Sequence, residues 1–166
     1  MAVRNSINLD QDPCSIIGSR AFDAPRALVF SVWTNPKHLA QWWGPDGFTT
    51  TTHSHDFRPG GVRRFVMHGP DGRDYQNRIT FDGIVSPERI VYHHGGGDDV
   101  EPAQFTQTVT FQDLGNGQTR LTWHGKFASA EERARVIREY GADKGLVQTM
   151  ARLADYVATI LPARSA

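Results

Sequence analysis

Two spacings of apolar residues follow one another along this chain and predict its elements. Residues 14–22 are expected to form a first strand, and the apolar positions within 28–33 have the spacing of a short amphipathic helix. A second short helix is expected after Asn35-Pro36 and ends near Trp43, where Gly44-Pro45 opens a cluster of turn residues. The pattern therefore predicts one strand and two short helices at the start of the fold.

From Phe48 onward the apolar period is two, which is typical of strands with one buried face. Turns are expected at Arg58-Pro59-Gly60-Gly61 and at Asp71-Gly72, and Gly83 marks a bulge within a strand. Residues 95–102 are rich in glycine and acids, which predicts a mobile loop. Six strands joined mostly by hairpins should form a strongly twisted antiparallel sheet with one apolar face.

Helical spacing returns at the end of the chain. Ser129 and Glu132 have the spacing of a capping box, and Gly141 is expected to interrupt the helix that they begin. One apolar stripe then predicts a long helix lying across the sheet, formed by Leu146, Met150, Leu153, Val157 and Ile160. A curved sheet that grips one helix leaves a cavity between them, so we expect an α+β fold with an internal pocket.

Length, composition and charge predict a single ordinary globular domain. The chain has 166 residues, of which 39% are hydrophobic and 22% charged. Lys+Arg and Asp+Glu number 18 each, so bulk charge gives no reason to expect a nucleic-acid partner. The expected division is a flexible lead-in over 1–13, one domain over 14–161 and a tail over 162–166.

Cys14 is the only cysteine, which excludes an intramolecular disulfide and a thiolate-rich metal site. The polar start of the chain lacks the apolar segment of a secretory signal. No apolar run approaches the ~18 residues of a membrane span. We therefore expect a cytoplasmic protein without membrane insertion.

Short phrases along the chain resemble those of a known family. They are Phe22-Asp23-Ala24-Pro25, Val29-Phe30 with Trp33, Trp42-Trp43-Gly44-Pro45, Asp56-Phe57-Arg58-Pro59-Gly60-Gly61, Gly69-Pro70-Asp71-Gly72, Pro87-Glu88-Arg89-Ile90-Val91-Tyr92 and Gly117-Gln118-Thr119-Arg120-Leu121-Thr122. Together they resemble the START-like (SRPBCC) superfamily, and within it the branch related to the C-terminal domain of the heat-shock-protein-90 ATPase activator.

The resemblance implies a helix-grip fold: a curved antiparallel sheet of about seven strands around a long C-terminal helix, with two short helices after the first strand. The family includes hydrophobic-ligand binders, polyketide cyclase-like proteins and stand-alone bacterial domains of unknown role. Where many relatives have Gly-Trp near the start of the last helix, this chain has Gly145-Leu146. The smaller side chain should leave a roomier cavity.

The residues expected to line the cavity come from the apolar face of the sheet, from the first helices and from the last helix. They are Trp33, Trp43, Phe65, Met67, Tyr75, Asn77, Tyr92, His94, Gln107, Val109, Trp123, Leu146, Met150 and Leu153. The amides of Asn77 and Gln107 interrupt apolar stripes, so each should hydrogen-bond either a ligand or an internal partner.

Neighbouring strand positions face opposite ways, so one of His93 and His94 should face the cavity, and the sequence leaves open which. That imidazole could act as a general acid or base, or serve only as a polar group of the pocket. Arg63 shares the parity of the apolar stripe, and it would either meet a ligand carboxylate or carry its head group to the rim and solvent.

His53 and His55 are two apart on a strand, a spacing that metal sites use and that solvated histidines also show. No third ligand is indicated by spacing, so we predict neither a metal nor a cofactor. The exposed edge of a small sheet makes a homodimer plausible.

Three functions are compatible with these features. The first is binding of a small hydrophobic or amphipathic molecule in the cavity. The second is a cyclase- or hydrolase-like enzyme using a cavity histidine, although local sequence suggests no Ser-His-Asp or Cys-His arrangement. The third is an interaction module of the chaperone-activator kind.

Overall fold

In the computed structural model, which describes residues 6–95 and 105–161, one antiparallel sheet of eight strands packs against helices on one face. The strands are β1 (Ser6–Asn8), β2 (Ser15–Phe22), β3 (Thr49–His55), β4 (Val62–His68), β5 (Asp74–Val85), β6 (Arg89–Gly95), β7 (Phe105–Gly115) and β8 (Gln118–Phe127). The helices are α1 (Arg26–Thr34), α2 (Pro36–Trp42), α3 (Ala130–Tyr140) and α4 (Ala142–Ile160).

The strand order is β1-β2-β8-β7-β6-β5-β4-β3, so β3 to β8 follow one another in space as they do in sequence. Strand β2 pairs with β8, which brings the first part of the chain beside the last strand. Helices α1 and α2 therefore carry the chain from β2 to the far edge at β3. Along this path α1 packs against β7 and β8, and α2 packs against β3 and α4.

Local chemistry explains where the helices begin and end. The Ser129 side chain accepts a hydrogen bond from the Glu132 backbone N–H at 3.0 Å, which caps the start of α3. Gly141 adopts a left-handed conformation, with φ of 61°, that ends α3 and precedes α4. The predicted interruption at Gly141 is confirmed, and the bulge in β5 lies between Phe81 and Gly83 as expected.

The main core lies between the concave face of the sheet and helices α1, α2 and α4. Met150, Leu153 and Val157 form the buried stripe of α4. They join one cluster with sheet residues such as Phe65 and Leu121. Burial of this continuous apolar surface holds the sheet and the long helix together.

This architecture confirms the expected helix-grip arrangement, with two differences in detail. Strand β1 lies within the stretch predicted as a lead-in, because residues 6–8 extend the sheet by pairing with β2. The strand count is therefore eight. Most of the predicted loop at 95–102 and the predicted tail at 162–166 lie outside the described residues. No helix within the described ranges is long and apolar enough to cross a membrane.

Replacement of Gly141 by alanine should lower the free energy of unfolding by about 1 kcal/mol, because an L-residue pays that cost in the left-handed region. A methyl group at Gly141 would meet no atom within 4 Å, so the loss would come from the backbone alone. Chemical denaturation measures it. Gly83→Ala is the matched control, since Gly83 also has open space but no left-handed φ. Equal losses in the two variants would contradict this explanation.

Candidate functional site

A cavity of about 680 Å³ lies between the concave face of the sheet and the start of α4. Strands β4 to β8 form its floor, and α3, α4 and the turn after α2 form its other walls. Arg73 and Glu139 are exposed residues of the lining and therefore mark its mouth. The apolar part of the lining is formed by Ile16, Pro45, Phe48, Met67, Phe105, Phe127, Val136, Ala142 and Leu146.

Two glycines of the sheet leave room for side chains of the site. A Cβ atom at Gly125 would lie 2.8 Å from Oε1 of Gln107, its partner across β7 and β8. A Cβ atom at Gly18 would lie 2.7 Å from Cδ2 of Leu146. Both positions therefore favour glycine, because a side chain that lines the cavity lies directly against the backbone there.

The structure brings part of the predicted set together around this cavity. These residues are Met67, Tyr75, Asn77, His94, Gln107 and Leu146. They alternate along β4 to β7 or face the sheet from α4, which is the geometry that the apolar stripes predicted.

The remaining predicted residues belong to the packed core, away from the cavity. They are Trp33, Trp43, Phe65, Tyr92, Val109, Trp123, Met150 and Leu153, all in the main buried cluster. The reason is that α1 and α2 insert their rings at this end of the sheet. The Trp33 ring lies 5.2 Å from that of Trp43, and Trp43 lies 5.6 Å from Phe65, between ring centroids. Such contacts leave no open space for a ligand.

Several residues of the cavity lining are absent from the predicted set. Phe105 has the same strand parity as Gln107, and Phe127 has the same parity as Trp123, so the alternation alone is enough to place them on the inner face. Val136 and Phe48 lie on α3 and in the turn after α2. No periodic signal indicated that these two segments approach the open end of the sheet.

His94 faces the cavity and His93 faces the outside of the sheet, where it pairs with Asp82. The Asn77 amide nitrogen donates to the Tyr75 carbonyl at 3.0 Å, so the Asn77 amide oxygen is free to accept. That oxygen lies 2.8 Å from Nε2 of His94. This network assigns the proton to Nε2 and leaves Nδ1 of His94 as an acceptor.

Two effects hold the His94 imidazole in its neutral form. Burial, and to a smaller extent the positive charge of Arg63, together lower its pKa to about 4. Within the described part of the chain, His94 has no carboxylate partner. It therefore lacks the orienting acid that general-base histidines commonly use.

Arg63 is buried, contrary to the expectation that its head group would reach solvent. It is 1% exposed, and its guanidinium carbon lies 4.0 Å from the ring centroid of Phe65 and 4.7 Å from that of Trp43. One terminal nitrogen lies 3.4 Å from the Thr52 hydroxyl, while Nε has no hydrogen-bond partner. Burial lowers its pKa to about 9. No acid in the described ranges forms an ion pair with it.

Cation–π contacts explain why this burial is tolerated. Stacking a guanidinium between aromatic rings recovers about 2 kcal/mol or more when the group is desolvated. The rings of Trp43 and Phe65 thus take the place of a counter-ion for Arg63.

Gln107 is a polar residue of the cavity lining that could bind a ligand. Its residue is only 7% accessible to solvent, and it lines the cavity beside Gly125. Its side-chain amide makes no hydrogen bond with any residue that the structure describes. The amide is therefore open to the cavity and available to a ligand.

Histidines elsewhere in the fold take part in structural contacts. His55 Nε2 donates to the Thr34 carbonyl at 2.8 Å, and a register shift between Thr52 and Ser54 interrupts the strand beside His53. Over residues 6–95 and 105–161, no group of three or more His, Cys, Asp or Glu residues is placed to hold a metal ion.

Three hydrogen-bonded residues on the surface have the order of a catalytic triad, but they do not lie in a pocket. The Thr51 hydroxyl lies 2.9 Å from Nε2 of His68, whose Nδ1 lies 2.7 Å from Asp74. All three lie on the outward face, and Thr51 and Asp74 are exposed. This group of three residues lies outside the cavity, so it offers a substrate no enclosed site.

A family model described as activator of Hsp90 ATPase homolog 1-like protein matches residues 23–158. This chain belongs to that family. The membership confirms the resemblance to the START-like superfamily. Among curated proteins, none matches the chain significantly.

Solved structures of similar proteins share the fold across nearly the whole chain. A protein from Arthrobacter aurescens is 26% identical with a TM-score of 0.84, over 95% of this chain and 92% of that one. Protein Ms6760 from Mycobacterium smegmatis is also 26% identical, with a TM-score of 0.79 over 99% and 100% of the two chains. The AHSA1 protein from Silicibacter pomeroyi, at 21% identity and a TM-score of 0.70 over 87% and 98%, shows the fold alone.

The state of His94 makes a pH-dependent prediction. Its pKa should be about 4 in the folded protein, measured by NMR titration of the imidazole, against an ordinary value of 6.5. The unfolded chain therefore takes up the proton first as pH falls. The free energy of unfolding should therefore decrease as the pH falls from about 6.5 to about 4. Above about pH 6.5 the contribution of His94 to stability is complete.

The variants His94→Gln and His93→Gln separate this effect from general acid denaturation. Removing His94 should flatten the loss of stability across the window, whereas removing the outward-facing His93 should leave the contribution of His94 in place. An unshifted His94 titration would show that the imidazole is hydrated rather than desolvated.

Proposed function

We propose that this protein binds a small hydrophobic or amphipathic molecule in the cavity between the sheet and α4. The observation that carries the proposal is the Gln107 amide, which opens onto a largely apolar cavity and has no hydrogen-bond partner among the described residues. A ligand that hydrogen-bonds to it would gain about 0.5–1.5 kcal/mol.

The size and lining of the cavity support the same function. Ligand sites commonly enclose roughly 300–1,000 Å³, with apolar and aromatic walls and a few polar groups that orient the ligand. Here Phe48, Phe105 and Phe127 supply aromatic walls, and His94 and Gln107 supply the polar groups. The volume of about 680 Å³ falls within that range.

An enzymatic role receives less support from the same residues. A cyclase or hydrolase would need a nucleophile or a carboxylate in contact with His94, and the hydrogen bond of its Nε2 goes to the Asn77 amide. The name of the family refers to ATPase activation of a chaperone. Such a role would use an exposed surface, and binding to a chaperone would persist after the cavity had been filled.

Filling the cavity tests the proposal directly. Leu146→Trp places a larger side chain in the cavity wall and should weaken saturable binding of the neutral dye N-phenyl-1-naphthylamine by at least about tenfold. Lys144→Trp adds the same side chain to the exposed side of the same helix and should bind the dye as the unmodified protein does. Fluorescence titration measures both, and circular dichroism checks that each variant folds.

Native mass spectrometry of protein purified without denaturation gives a second measurement. A carried small molecule should appear with the unmodified protein and with Lys144→Trp, and should be lost with Leu146→Trp. The same spectra report whether the protein is a homodimer. Absence of both dye binding and a carried molecule from the unmodified protein would overturn the proposal.

A further inference from the structure

We propose that the cavity selects an aromatic molecule with a weakly acidic hydroxyl group, held between His94 and Gln107, and that the charge of Arg63 makes it reject cations. The inference rests on the proposed function, because it names the chemical class of the ligand of that same cavity. Three features carry it: a fixed acceptor, an amide unpaired among the described residues, and a positive charge that no described acid compensates.

The fixed acceptor is Nδ1 of His94. The Tyr75 carbonyl orients the Asn77 amide, and the Asn77 oxygen in turn holds the proton of His94 on Nε2. The remaining ring nitrogen can only accept a hydrogen bond while the imidazole is neutral. A ligand atom in contact with this nitrogen must therefore donate a hydrogen bond. A hydroxyl group can do so, and an ionised carboxylate cannot.

The unpaired amide is that of Gln107, two residues along β7 from Phe105, the residue directly opposite His94. His94 and Gln107 are therefore diagonal neighbours on one face of the sheet, where long side chains can reach a common atom. A hydroxyl oxygen can donate to His94 and accept from the Gln107 amide at the same time. That match satisfies both groups with one ligand atom.

The uncompensated charge belongs to Arg63. Its guanidinium stacks on Phe65, whose ring centroid lies 5.9 Å from that of His94, and no described acid pairs with it. The acid of the cavity lining, Glu139, is exposed and bonds Arg135 at 2.9 Å. The resulting positive potential opposes a ligand cation and favours partial negative charge on a phenol-type oxygen.

The walls around the polar groups are aromatic. Phe105 lies 4.9 Å from the His94 ring and 5.1 Å from Phe127, between centroids, and Phe48 lies 6.0 Å from Tyr75. Flat rings pack against such walls with favourable edge-to-face geometry. We therefore expect the hydroxyl to be carried by an aromatic ring.

Three naphthalene derivatives test the class of ligand: 2-naphthol, 2-methylnaphthalene, which has the same shape as 2-naphthol, and the 2-naphthylmethylammonium ion, which carries a positive charge. Calorimetric or fluorescence titration should give the tightest binding for 2-naphthol, by about tenfold over 2-methylnaphthalene, because only the hydroxyl meets His94 and Gln107. The ammonium ion should bind most weakly of the three. This series needs no variant, so it stands even where a substitution prevents folding.

Matched variants assign the preference to residues. Gln107→Leu should weaken 2-naphthol about tenfold and leave 2-methylnaphthalene unchanged. Gln112→Leu, on the exposed outward face of the same strand, should change neither. Arg63→Met should reduce the discrimination against the ammonium ion about tenfold, whereas Arg63→Lys, which keeps the charge, should preserve it.

The outcomes distinguish a failure of the inference about ligand class from a failure of the proposed ligand-binding function. Equal binding of the three probes, or an ammonium ion that binds as well as 2-naphthol, would overturn the inference and leave ligand binding intact. Failure of all three probes to bind would overturn the inference, and loss of the dye and carried-molecule signals as well would overturn the proposed function.

Discussion

The constraint on which this structure depends is that a curved sheet with one apolar face has a single long helix to cover it. The buried stripe of α4, from Met150 to Val157, covers the middle of that face. The rings of α1 and α2 cover one end. The other end is closed only by α3, the start of α4 and the turn after α2, and the space that they leave is the cavity. The apolar face of the sheet is larger than the area that α4 covers. The core forms where helices cover this face, and the cavity forms where they do not.

The aromatic end of the core also determines the electrostatics of the cavity. Trp43 and Phe65 enclose the guanidinium of Arg63 and replace the counter-ion that a buried charge ordinarily requires. No carboxylate among the described residues neutralises it, so the charge adds to the larger effect of burial, and together they keep the His94 imidazole neutral. A packing contact in the core therefore contributes to the choice of hydrogen bonds that the cavity can offer.

The fold could be predicted from the sequence because each element carries a local signal. Gly141 and the bulge near Gly83 were predictable from single residues, and the stripe beginning at Leu146 gave the long helix. The site was predictable only in part. Parity assigned Asn77 and Gln107 to the concave face, but it could not show that Trp33 and Tyr92 would be enclosed by neighbouring rings. The burial of Arg63 depends on cation–π contacts with Phe65 of the same strand and with Trp43 from the segment after α2, and no local pattern predicts the Trp43 contact.

The separation of core from cavity wall has a consequence for how such a chain can change over time. Core residues such as Leu153 and Trp33 do not line the cavity, and the cavity wall includes residues outside the buried clusters, such as Pro45 and Phe48. Substitutions at the wall can alter what fits while most of the folding free energy is retained. The fold can therefore change its ligand through successive substitutions in the cavity wall, with each intermediate sequence still able to fold.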